Sequence, residues 1–187
     1  MDSSSIGYVT FISSLLLCLS SSLIPFANAT ASSLISSVCK QTQDRFGYNY
    51  NQCVKSLWKD IPTRSASNLK DLDTAIVKLA LTNAQQSKAF FVNALNTTGK
   101  GIVKGFEGVK QCIDSYDFAV DGFAFSVRGI KDNDKSVSQI LTQVQDEIFR
   151  CEKALGSTEI ELPDSVSSTN FLTTLCRDVT FVITSQL

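Results

Sequence analysis

The chain has 187 residues, 17 basic and 18 acidic side chains, six cysteines and no histidine. A net charge of −1 gives no bulk attraction for nucleic acid or an anionic membrane. The missing histidine excludes Ser-His-Asp and Cys-His catalytic pairs, and with them histidine-based zinc and di-iron sites.

Residues 1–29 carry no Lys or Arg and one acid, Asp2. An apolar run from Val9 to Leu19 precedes a serine stretch, Pro25 and the small-x-small site Ala27-Asn28-Ala29. This pattern predicts a secretory signal peptide over 1–29, with one domain over 30–187. The apolar core is too short and too rich in serine for a membrane anchor. Removing 1–29 removes Asp2 and Cys18, which leaves balanced charge and five cysteines. In an oxidising compartment cysteines pair, and five cannot all pair within one chain. The sequon Asn96-Thr97-Thr98 makes Asn96 a glycosylation candidate. A second, Asn28-Ala29-Thr30, overlaps the cleavage site and is expected to go unused.

Two short helices are expected over 32–43 and 49–59, joined by Phe46-Gly47-Tyr48-Asn49, with Pro62 closing the second. Trp58 reads as a packing residue of that hairpin rather than a ligand platform. A long helix follows over 68–96, with Leu69, Leu72, Ile76, Leu79, Asn83, Phe90 and Asn93 near one face. In 102–130 apolar residues fall at Ile102, Phe106, Val109, Ile113, Tyr116, Val120, Phe123, Val127 and Ile130. Those alternating steps of four and three form one helical seam. The glycines of GKGIVKGFEG do not form a phosphate loop, because no Ser or Thr follows the GK and no strand precedes it. They read as helix-start and close-packing positions. Asp114, Asp117 and Asp121 lie at helical spacing and could share a face; they read as solvated surface or partner contact, since one face gives no opposed carboxylate walls.

A third long helix begins at Ser136, where Ser136 and Gln139 suggest a capping box. Its seam is Val137, Ile140, Val144, Ile148, Cys151 and Leu155. The last spans 168 to the end, with Leu172, Leu175, Val179 and Val182. Ser/Thr-rich patches at 63–67 and 165–169 read as turns. The fold class is therefore all-α: an antiparallel four-helix bundle with an N-terminal helical hairpin.

Cys39 and Cys53 lie on the two hairpin helices, and a bond between them would staple a unit too small to bury its own core. Cys112 and Cys151 sit at similar distances from a turn near residue 132. Geometry favours these two pairs, although sequence alone allows others. Cys176 is left as a free thiol, either buried and inert or joined to a second chain.

Three features stand in order. Cys39 and Cys53 enclose thirteen residues and precede Val54-Lys55-Ser56-Leu57; QCIDSYDFAVDGF surrounds Cys112; Glu152 follows Cys151. This arrangement resembles the plant invertase and pectin methylesterase inhibitor family, from about residue 33 to the end. The resemblance implies a four-helix bundle with an N-terminal hairpin, disulfides Cys39–Cys53 and Cys112–Cys151, and an unpaired cysteine matching Cys176. It implies no enzyme activity and no cofactor or metal. The implied role is a secreted inhibitor that occludes the active cleft of a cell-wall enzyme, pectin methylesterase or acid invertase. The alternative is a non-inhibitory binding or scaffold member, as in pollen. The implied location is the apoplast or cell wall, with the vacuole as second choice. The implied state is a monomer with a Cys176-linked dimer as alternative, and no nucleic acid or membrane partner. Two stretches differ from the usual family pattern. ILTQVQDEIFRCE stands where Ser-Ala-Ala-Leu is common before the fourth cysteine, and the loop from Gly156 to Ser167 lacks Pro-Lys-Phe. That loop carries Glu159, Glu161 and Asp164 and no base, so it is not expected to enter the carboxylate-lined cleft of invertase.

Overall fold

The computed structural model describes residues 25–97, 106–156 and 164–185. Seven helices account for nearly all of them: α1 (Pro25–Phe46), α2 (Tyr50–Lys59), α3 (Ile61–Arg64), α4 (Leu69–Thr97), α5 (Phe106–Asp132), α6 (Val137–Leu155) and α7 (Asp164–Thr184). The helices α4, α5, α6 and α7 form the bundle, each packed on the next and α7 back on α4. The hairpin α1–α2 lies against α7, and α3 leads into α4. The all-α bundle with a helical hairpin is thus the observed architecture.

Local chemistry sets the breaks. Gly47 follows α1 with φ of 76°, a left-handed conformation that suits glycine, and its N–H donates to Gln43 O at 2.9 Å. The Asn49 side chain caps α2 by accepting from Gln52 N at 3.0 Å. Pro62 does not close α2. Asp60 does so, in extended conformation, and caps α3 by accepting from Thr63 N at 2.9 Å. Pro62 then sits in the first turn of α3, where its missing N–H costs nothing. Asn68 caps α4 through Asp71 N at 2.9 Å. Asn133 (φ 56°) reverses the chain between α5 and α6. The Ser136–Gln139 capping box does not form, because Ser136 is already helical and its side chain makes no cap bond. Asp134 Oδ1 accepts from Ser136 N at 2.8 Å instead. The 165–169 patch is not a turn. It lies inside α7, with Val166 and Thr169 turned into the core.

Antiparallel register can be read from paired side chains. Between α4 and α7, Ser87 meets Thr169 at 2.8 Å and Asp73 meets Thr180. Between α4 and α5, Lys70 Nζ donates to Lys131 O at 2.7 Å, Lys88 pairs with Asp117, and Phe91 stacks on Tyr116 at 5.6 Å. Between α6 and α7, Gln145 Nε2 donates to Thr174 Oγ1 at 3.1 Å. For α4 with α7 and for α4 with α5, advancing along one helix retreats along the other.

The α5 core line is Val109, Cys112, Tyr116, Ala119, Phe123, Ser126 and Ile130, while Ile113, Val120 and Val127 are half-buried. Three positions of the expected seam, Ile113, Val120 and Val127, are therefore displaced by one residue. α5 is wedged between α4 and α6, and small residues occupy the shifted positions where those helices approach. A Cβ on Gly122 would stand 2.4 Å from Val144 Cγ2, and one on Gly129 would stand 2.6 Å from Val137 Cγ2. Close packing is thus their role. On α4 the buried line runs Leu72, Ile76, Val77, Ala80, Ala84, Ser87 and Phe91. Leu79, Asn83 and Phe90 are half-buried and Asn93 is exposed. Alanines at 80 and 84 permit close approach of helix backbones, which an apolar count misses.

Candidate functional site

Two disulfides fix the frame. Cys39 and Cys53 join α1 to α2 with Cα atoms 5.7 Å apart, and Cys112 and Cys151 join α5 to α6 at 4.4 Å. All four are buried. The hairpin is tied to α7 by edge-on ring pairs, Phe46 with Phe181 at 6.0 Å and Tyr48 with Phe171 at 6.2 Å. Arg45 Nη1 also donates to Ser185 Oγ at 3.3 Å. Burial first, and Asp178 beside it, push the Tyr48 phenol well above its ordinary value. Asp178 in turn is held by Arg177 at 2.6 Å.

On this frame α5 presents an outward face. Phe118 and Phe125 are 42% and 36% exposed. Seven residues apart, they sit two turns apart along one side, about 10 Å. Asp114, Asp121 and Arg128 are exposed beside them. Asp117 belongs to the same side and pairs with Lys88. The three aspartates lie on the solvated surface, and now have large aromatic side chains for neighbours. Phe149 on α6 is 64% exposed. Such a face, rigid and partly apolar, can bind a protein at little entropic cost. Trp58, expected to pack, is exposed instead. α2 buries Cys53 and Leu57, and the next residue around the helix points away.

Cys176 lies on α7 and is 0% exposed. Burial, and secondarily the charge of Asp73, hold its thiol well above the usual range. A disulfide to a second chain would require α7 to open. Asn96 is exposed one residue before the end of α4. Glu159 and Glu161, with 157–163 as a whole, lie outside the described residues, and Asp164 starts α7. Ile102 and the first part of GKGIVKGFEG also lie outside them. Among the described residues no group of three or more His, Cys, Asp or Glu could hold a metal ion, and no helix is long and apolar enough to cross a membrane.

Sequence reasoning missed Asp73. The chain has no histidine, the side chain whose ordinary pKa lies near neutrality. Asp73 nevertheless lies buried on α4, and desolvation pushes its carboxyl up to about 7, against a hydrogen bond from Thr180 that pulls the other way. The signal was present: Asp73, Val77, Ala80 and Ala84 share a line on the helix, an acid at the head of a small apolar stripe.

A family model described as plant invertase/pectin methylesterase inhibitor matches residues 33–180. Two solved structures are similar. The crystal structure of mutant form A of a pectin methylesterase inhibitor from Arabidopsis shares 16% identity at a TM-score of 0.65, covering 82% of this chain and 96% of that one. The crystal structure of a pectin methylesterase inhibitor from Arabidopsis thaliana shares 18% identity at a TM-score of 0.57, covering 83% and 97%. At these identities the likeness is one of fold. No curated protein matches the sequence.

Proposed function

The chain belongs to the plant invertase/pectin methylesterase inhibitor family, and on that premise we propose that it is a secreted, non-enzymatic inhibitor of pectin methylesterase that occludes the enzyme's cleft. The family match across the whole bundle carries this reading. The outer face of α5 supports it. A cleft that receives a polyuronate chain needs cationic groups, and Asp114 and Asp121 offer them carboxylates while Phe118 and Phe125 supply apolar contact. Invertase is the weaker candidate. The segment between α6 and α7 carries Glu159 and Glu161 and no base, and a glycoside hydrolase cleft is itself lined with carboxylates.

Secretion is part of the proposal. Cleavage after Ala29 would remove the first turn of α1 and leave Ala31, Ile35, Val38 and Cys39, which are buried. The mature chain would act outside the cell as a monomer, with Cys176 internal. Assaying both enzymes with the purified mature chain at mildly acidic pH tests the target. Loss of pectin methylesterase turnover with invertase unaffected is the expected outcome. Inhibition of invertase alone would reverse the assignment, and binding without loss of turnover would make the chain a non-inhibitory member.

A further inference from the structure

Asp73 has no part in the disulfide frame or in the α5 face, yet it stands in the core between α4 and α7. It is 1% exposed, and its Oδ1 accepts a hydrogen bond from Thr180 Oγ1 across the seam. It also lines a pocket of about 630 Å³ at the end of the bundle near the α5–α6 turn. The groups that face it give little compensation for a negative charge. Lys70, one turn earlier on α4, is drawn to that turn, donating to Lys131 O at 2.7 Å and to Asn133 Oδ1 at 3.0 Å. Asp134 and Lys135 of the same turn are exposed and of opposite sign. α5 and α6 contribute Ile130, Val137 and Ser138, none of which titrates near neutrality. From α7 come Cys176, a fully buried thiol, and Asp178, whose carboxylate is taken by Arg177. No ion pair reaches Asp73 among the described residues. An ionised carboxylate that is 1% exposed and has one hydroxyl donor is costly, whereas a neutral acid there costs far less.

We propose that Asp73 is a proton-operated lock on the α4–α7 seam: protonated in mildly acidic surroundings it closes the bundle, and its ionisation toward neutrality loosens the seam. The raised carboxyl supports this, since it lies at about 7 in the folded chain against 3.8 for an ordinary Asp. Between those values the folded state holds a proton that the unfolded chain has released. The stabilisation is therefore fully present below 3.8 and is lost as pH rises through about 7. The proposal rests on the core alone and does not depend on any target enzyme.

The test is denaturant unfolding of the disulfide-intact mature chain at about pH 5 and pH 8, in wild type and Asp73→Asn. In wild type the unfolding constant should rise on the order of 100-fold across that interval. Asp73→Asn should remove most of that rise, and the same rise in both proteins would overturn the proposal. A second measurement, carboxyl ¹³C NMR titration of the wild type, covers a variant that does not fold. One buried carboxyl should titrate above pH 6, and a spectrum in which every carboxyl titrates below pH 5 would overturn it equally.

Discussion

The hydroxyl of Tyr116 lies fully buried beside Ser87 and Thr169, yet those two bond each other at 2.8 Å, and neither meets the phenol with hydrogen-bond geometry. Burial pushes the phenol up to about 12, while the adjacent Ser87 and Thr169 hydroxyls, off ideal hydrogen-bond geometry, pull it the other way. A buried polar atom without a partner destabilises, so removing it should not harm the fold. Tyr116→Phe should be neutral or stabilising by up to ~1 kcal/mol, and chemical denaturation will show it. A loss above about 1 kcal/mol would mean that the hydroxyl has a bond in solution. The residue scale was also the least legible in the sequence. Absence of histidine rules out histidine-based chemistry, but it does not imply silence near neutral pH. Asp73 acquires its behaviour from burial, and its burial depends on which of two adjacent α4 faces meets α7.

At the scale of elements, periodicity found the four bundle helices but misplaced some faces and ends, and the first helix, expected over 32–43, runs from Pro25 to Phe46. On α5 the steps of three and four led to Ile113, Val120 and Val127, whereas Cys112, Ala119 and Ser126 lie deeper. Hydrophobicity marks the wide edges of a face, and small residues mark its closest approach. Gly122 makes this testable. Alanine would gain about 1 kcal/mol of helix propensity, but its Cβ would meet Val144 Cγ2 at 2.4 Å. Valine is stiff, so overpacking should win and Gly122→Ala should cost about 1–3 kcal/mol. Adding Val144→Ala should remove the clash, and the double-mutant cycle should show a favourable coupling. The helix ends were legible where one side chain caps alone, as at Asn49. They were not where Asp134 replaced the expected Ser136, because competition between neighbouring caps depends on the turn, and Asn133 sets that turn.

The whole molecule is a stapled frame that carries a partly apolar helix face. Its class and hairpin were legible because cysteine order and helical period agree with one architecture. The contact face was less legible, because Phe118 and Phe125 look like core residues until α5 has its register. Replacing both with alanine should lower the unfolding midpoint somewhat, since each ring is still more than half covered, but should leave the chain folded. It should weaken inhibition of pectin methylesterase by about tenfold or more, as loss of aromatic anchors does. Undiminished inhibition would move the contact to another face. Passage through a plant secretory pathway should glycosylate the exposed Asn96. Intact mass before and after enzymatic deglycosylation checks this, and an unchanged mass would count against it. The central claim, that the chain occludes an enzyme cleft, is tested most directly by titrating pectin methylesterase at fixed, high concentration with the purified mature chain at mildly acidic pH. Activity should fall linearly and end near one inhibitor per enzyme. Full activity with the chain in micromolar excess would contradict it.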